Sequence, residues 1–211
     1  MNKIEEKRPR GRPRSAAADE AILAAALALF LDHGVDGASI ERIARRAGVG
    51  KTTIYRRWSS KEELLAQAIG RVRETAEQAI GATDLAVFAD RPLGVTLGRL
   101  MAASADLMVS DENRKLQSRL IGSIHGHPRL MEIYWQVYIA PRRAAFGLLL
   151  DQARARGELP ASTDTDLLQD LLGGAMLHRL LLDPAPPTAD SVRVYLDRVL
   201  RQLGLTDPAG E

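Results

Sequence analysis

An all-α fold of about nine helices is what this sequence predicts, and three observations predict it. Aromatic residues make up only 4% of the chain while Ala and Leu are plentiful, a balance that favours helix over strand. Apolar residues recur at i, i+4 and i+8, and no run alternates in the manner of a strand. Helix-starting and helix-stopping residues punctuate these apolar stretches at matching intervals.

Each element follows from its own residues. Ile22, Leu23, Ala26, Leu27, Phe30 and Leu31 make one apolar face of a helix over Ser15–His33, and Gly34 stands where a left-handed residue ends it. Ser39 is a good N-cap for a second helix, IERIARRA, which Gly48 breaks. Lys51–Trp58 gives a third. Ser60 and Glu63 read as a capping box for a fourth, which Leu64 and Leu65 continue toward Ala79. GATDLAVFADRP reads as loop, and Pro92 starts a helix to Val109. Ser110 and Asp111 cap the next, to Ile124. Pro128 suits the first position of a helix with His127 as its N-cap; it runs toward Arg156 with a kink or break at Pro141. Thr163 and Asp166 form a second capping signature before Asp164–Leu182, a segment apolar nearly all round. DPAPP is a rigid connector, and Thr188 caps a last helix to Leu203.

The net charge of +2 conceals an asymmetry. Residues 1–60 hold 12 basic side chains against 7 acidic, and the remainder 17 against 20. The positive end is the candidate for nucleic acid. No Cys is present, which excludes disulfides, zinc fingers and thiol catalysis. Asp19 and Glu20 interrupt the approach to AILAAALALFL, so that stretch is a poor signal peptide. No apolar run is long enough to span a bilayer. The expectation is a cytoplasmic protein with no membrane contact.

SIERIARRAGVGKTTIYRRW, Ser39–Trp58, carries the chemistry. Ala44 sits where two helices cross, Gly48 four residues later takes the turn, and Ile54 packs back with Ile40, Ile43 and Val49. That spacing is a helix-turn-helix. At about 100° per residue, with Ile54 inward, Thr52 and Arg56 fall about 160° away, on the outer face. They would face base edges in a major groove, with Thr53 beside them from the flank; Arg pairs bidentately with guanine and Thr meets a thymine methyl. Ser39, Lys51, Tyr55, Arg57 and Lys61 are expected at phosphates, which set register. Lys61 opposes the dipole of its own helix, and a phosphate at that N-terminus would supply the reason.

AILAAALALFLDHGVDGASIERIARRAGVGKTTIYRRWSSKEELL resembles the DNA-binding domain of the tetracycline-repressor (TetR) family over residues 17–65. Its Ala-Gly-Val, Lys-x-x-x-Tyr and Ser-Lys-x-x-Leu elements carry the match. Thr52 replaces a frequent Gly, and Arg56-Arg57-Trp58 a frequent His-Tyr-Phe, changes that bear on which operator is read. The remaining chain is similar, more weakly, to the family's ligand-binding and dimerisation domain. The resemblance implies four segments: an arm over 1–14, a DNA-binding domain over 15–60, a ligand-binding and dimerisation domain over 61–205, and a tail over 206–211. It implies an Ω-shaped homodimer on a palindromic operator of double-stranded DNA, released by an unidentified small molecule, and most often a repressor. The last two helices would pair with their mates, which assigns Leu168, Leu172, Gly173, Met176, Leu180, Tyr195 and Val199 to the interface.

Competing readings stay open for several groups. Met101, Leu120, Tyr134, Trp135, Tyr138 and Phe146 either line an apolar ligand pocket or are simply core. His125 and His127 lack a third ligand, so no metal and no cofactor are expected. His33 and His178 read as packed, and Arg114, Lys115 and Arg119 as a solvated face. Neither a phosphate loop nor a catalytic arrangement is present, so no enzyme is expected. A ligand-independent architectural DNA binder is the alternative reading. KRPRGRPRS, Lys7–Ser15, is extended by its prolines and resembles the core of an AT-hook at Arg10-Gly11-Arg12-Pro13. Arg10 and Arg12 are expected in a narrow minor groove beside the operator.

Overall fold

The computed structural model describes residues 16–79, 91–185 and 187–205. Among them the chain forms nine continuous helices and no strand: α1 (Ala16–Gly37), α2 (Ile40–Ala47), α3 (Lys51–Tyr55), α4 (Lys61–Ala79), α5 (Leu93–Met108), α6 (Asp111–Ser123), α7 (128–155), α8 (165–182) and α9 (Ala189–Gln202). Helix α7 joins Pro128–Tyr134 to Ala140–Ala155 through a π-helical stretch, Trp135–Ile139; α8 continues Thr165–Leu177 as a π-helical turn, His178–Leu182. The all-α expectation holds. The GATDLAVFADRP loop and the arm with Arg10 and Arg12 lie mostly or wholly outside the described residues.

The helix ends show where sequence logic held and where it slipped. Ser39 caps α2 by accepting from the Arg42 amide, and Gly48 closes it at φ 67, ψ 30, the left-handed turn that L side chains resist. Gly34 interrupts α1 at φ 68. The third helix is shorter than expected: its regular turn ends at Tyr55, and Arg56 and Arg57 curl into the turn before Trp58. The capping box at α4 is shared between two serines. Ser60 Oγ accepts from the Glu63 amide at 3.0 Å, but the Glu63 carboxylate accepts from Ser59, at 2.7 Å from its amide and 2.6 Å from its hydroxyl. Those two bonds hold the Glu63 carboxyl below its usual pKa. Asp164, not Thr163, caps α8, its carboxylate accepting from the amides of Asp166 and Leu167. Pro141 does not end α7, which stays helical across it. The helix widens to i→i−5 bonding just ahead of it, the Ala140 amide reaching the Trp135 carbonyl. That register eases the turn where proline lacks an N–H and crowds the carbonyl four residues back.

One core runs from the N-terminal helices into the middle of the chain. Ile22, Phe30, Ile43, Ile54, Leu64 and Ile69 are fully buried, and Leu116, Leu120, Leu130 and Tyr134 belong to the same cluster. Each such aliphatic or aromatic side chain contributes roughly 1.5–3 kcal/mol by leaving water. Gly70 is where α4 and α7 come closest: a Cβ there would stand 2.0 Å from Cε1 of Tyr138. Tyr138 is therefore buried against α4, and burial pushes its phenol pKa up. A second cluster gathers Leu93, Leu97, Leu149, Leu150, Leu168, Leu172 and Leu200, and a third Ala105, Leu180, Val192 and Leu196. Among the described residues no single helix is long and apolar enough to cross a membrane.

Candidate nucleic-acid interface and ligand cavity

Helices α2 and α3 present the outer face that the spacing predicts. Ile54 is fully buried, while Thr52 and Arg56 are exposed on the opposite side and Thr53 is half-buried between. The ring of Tyr55 is 57% exposed, at the flank. Gly50 opens α3 at φ −77, ψ 149, so the first turn of this short helix projects its side chains from a sharp bend. Val49 N–H reaches back to the Ala44 carbonyl at 3.0 Å and locks that bend to α2.

The basic residues assigned to phosphates divide into two groups. Lys51 is exposed and pairs with Glu41 at 2.8 Å. That hydrogen bond, then the charge behind it, raises the Lys51 pKa and lowers that of Glu41. Glu41 is a partner the sequence reading missed, because it lies ten positions back on another helix. Lys61 donates to the Val35 carbonyl at 3.1 Å, a structural reason for a cation that otherwise opposes its helix dipole. Ser39 spends its hydroxyl on the α2 cap. Arg57 does not stand at a phosphate position. Its side chain is 10% exposed, ion-paired through Nε to Asp19 of α1, and donates from Nη1 to the Thr53 carbonyl at 2.9 Å. Three residues on from Ile54, Arg57 lies about 60° from it at 100° per residue, on the inward side, so the helical period itself carries its side chain toward α1.

A cavity of about 710 Å³ lies between α4, α5, α6, α7 and α8. Of the six residues expected there, Leu120, Tyr134 and Trp135 line it. Tyr138 packs into the first core cluster instead, and Met101 and Phe146 lie against the second. Helical spacing alone does not separate a wall from the core behind it. The lining also includes Val72 and Arg73 of α4, Leu107 and Met108 of α5, and Gln169 of α8. Helix α8 differs most from expectation. Gly173, Met176 and Leu180 face this cavity, and Leu168 and Leu172 are buried within the chain's own core. Val199 packs on that core and Tyr195 is half-buried. Besides Leu177 at the cavity, the exposed large apolar side chains on the last two helices are Leu167, Leu171, Leu182 and Val194. In a helix apolar nearly all round, the sequence carries no mark of which stripe meets which neighbour.

The cavity and the DNA-facing helices are joined by α4 and α6. Arg119, next to the lining residue Leu120, is not merely a solvated cation. Its guanidinium donates to the carbonyls of Leu31 at 3.0 Å and Asp32 at 2.9 Å, near the end of α1. His33 and His178 are exposed rather than packed. Among the described residues no group of three or more His, Asp or Glu is arranged to hold a metal. His127 lies 3.5 Å from Asp36 instead.

Residues 22–68 match the family model of bacterial regulatory proteins of the tetR family, and residues 93–199 that of the tetracyclin repressor-like C-terminal domain. An HTH-type transcriptional regulator of Mycobacterium tuberculosis is 31% identical over 180 residues, covering 85% of this chain and 84% of its own. A DNA-binding transcriptional repressor, TetR, of Mycobacteroides abscessus is 31% identical over 173 residues, covering 82% and 85%. The solved SmeT–triclosan complex shares the fold at a TM-score of 0.67 and 22% identity, over 88% of this chain and 91% of that one. With a helix-turn-helix at residues 40–55 and a helical domain behind it, the chain belongs to the TetR family of transcriptional regulators, which bind DNA and are not enzymes.

Proposed function

We propose that the protein is a homodimeric repressor that binds a palindromic operator and lets go when a small, mainly apolar molecule fills its cavity. The observation that carries the DNA half is the pairing of exposed Thr52 and Arg56 directly opposite buried Ile54. Those two side chains, with Thr53, read base edges; Ser39, Lys51, Tyr55 and Lys61 hold phosphates; Arg57 braces α3 from behind. Glu41 releases Lys51 as a phosphate arrives. Arg10 and Arg12 of the arm enter the adjacent minor groove.

The cavity supports the effector half, together with two mechanical links from its walls to the DNA-binding helices. One is α4, which carries cavity residues Val72 and Arg73 at one end and packs under Trp58 at the other. The second is the Arg119 cap on α1. A molecule that spreads α4 from α6 alters the angle of α1–α3, and in a dimer that changes the spacing of two reading helices. A repressor among the relatives and a triclosan complex among the structural neighbours agree with this reading. The exposed Leu167, Leu171, Leu182 and Val194 on the last two helices supply the dimer face. The segments 1–14, 15–60, 61–205 and 206–211 keep their assigned roles, with α4 beginning just past residue 60 and packing back on α1. The place of action is the cytoplasm, where the operator is.

Footprinting on the DNA upstream of the protein's own gene tests this. Two protected half-sites related by a twofold axis, their centres about 10 base pairs or a multiple apart, are expected. Protection without symmetry, or spread evenly over the fragment, overturns the operator reading in favour of an architectural DNA binder.

A further inference from the structure

We propose that the effector is an amphipathic anion, an apolar body with one carboxylate head, and that Arg73 takes the head. This assignment rests on the cavity being the effector site and names the chemical class that it selects.

The apolar part of the wall is broad: Leu107, Met108, Ile121, Ile124, Met131 and Leu177 all face the space. Its charges are few, and all but one are accounted for. Arg143 is held by Asp170 at 2.7 Å and by Asp166 at 3.7 Å. Glu112 is exposed in the first turn of α6, where the helix dipole favours a carboxylate. Among the polar walls, Ser104 Oγ is spent on the Leu100 carbonyl at 2.7 Å, and the Asn113 side-chain amide donates to the Met108 carbonyl at 2.9 Å.

Arg73 is the exception. It makes no ion pair among the described residues, and its Nε is buried with no acceptor. Its guanidinium stands over the ring of Tyr134, 5.8 Å from the centroid, so the aromatic face is its neighbour in place of a carboxylate. A buried guanidinium donor without an acceptor is costly, and a planar guanidinium is the group best matched to a bidentate carboxylate. A neutral apolar guest leaves that donor unmet, and a cationic guest is repelled by it. Arg73 also lies three residues beyond Gly70, on the helix that continues to the DNA-binding end, so a bond to its head acts on α4 itself.

Matched probes separate the possibilities by isothermal titration at pH 7: decanoate, decanol and decyltrimethylammonium, and 1-naphthylacetate beside 1-naphthaleneethanol. The wild type should bind each carboxylate at least about tenfold more tightly than its alcohol. Arg73→Gln should remove that preference while leaving the alcohols' affinity unchanged, which also certifies that the variant is folded. Equal binding of acid and alcohol by the wild type, tighter binding of the ammonium, or a preference that survives in Arg73→Gln overturns the anion assignment. In each of those cases the apolar probes still bind, and the sensor reading stands. Failure of every probe to bind overturns the sensor reading, and the anion assignment with it.

Discussion

Arg56 and Arg57 are adjacent in the chain and do different work. Arg56, just past the end of α3, is exposed on the side opposite Ile54, whereas Arg57 is folded inward onto Asp19 and the Thr53 carbonyl. The side that Arg56 takes follows from its offset of two residues from a buried Ile, which the sequence carries. Arg57 lies by the same period only about 60° from Ile54, on the inward side, and its partner Asp19 is 38 positions back on α1, out of reach of a local reading. Removing Arg57 leaves the partly buried Asp19 carboxylate and the Thr53 carbonyl without their donor. Arg57→Ala should therefore lower unfolding free energy by about 1–3 kcal/mol, read from urea denaturation. Its salt dependence of DNA binding should match the wild type, because no phosphate contact is lost. A shallower salt slope in the variant would return Arg57 to the phosphate group.

Among the elements, helix existence was legible almost throughout, because caps and apolar spacing are local properties. Ser39, Gly48, Ser110 and Thr188 act as their residue types dictate. What could not be read was how a locally plausible device is shared once neighbours compete. Glu63 prefers Ser59 to Ser60, Asp164 displaces Thr163, and Pro141 is absorbed by a π stretch. The packing of α4 on α7 was equally invisible, since Gly70 and Tyr138 are separated by most of the intervening fold. Gly70→Ala drives a methyl to 2.0 Å from the Tyr138 ring, and Tyr138 is buried. Overpacking of this kind should cost about 1–3 kcal/mol, measurable as a lower urea midpoint. Gly70→Ala combined with Tyr138→Leu should recover part of the loss. A Gly70→Ala protein as stable as the wild type would show that α4 and α7 are not packed this closely.

Across the whole molecule, the cavity, the shared core and the uncovered face on α8 and α9 decide how the parts act together. The helix-turn-helix was legible in the sequence because it is one contiguous motif. The cavity was legible only as a region, because that wall draws on five helices. The exposed face of α8 and α9 illustrates the limit. Leu168 and Leu172 are indistinguishable by type from Leu167 and Leu171, yet the first pair is buried within the chain and the second is exposed. Leu171→Glu should leave the fold intact and yield a monomer by light scattering, whereas Leu172→Glu should unfold the protein. A Leu171→Glu protein that stays dimeric would place the interface elsewhere. The central claim is that sequence is read by the outer face of α3. Fluorescence anisotropy measures it most directly, with wild type and Arg56→Ala titrated at one salt concentration onto the footprinted operator and onto a scrambled duplex of equal length. Arg56→Ala should lose about tenfold or more on the operator and far less on the scrambled DNA, so that discrimination shrinks. Equal losses on both duplexes would contradict the central claim and make Arg56 one more phosphate contact.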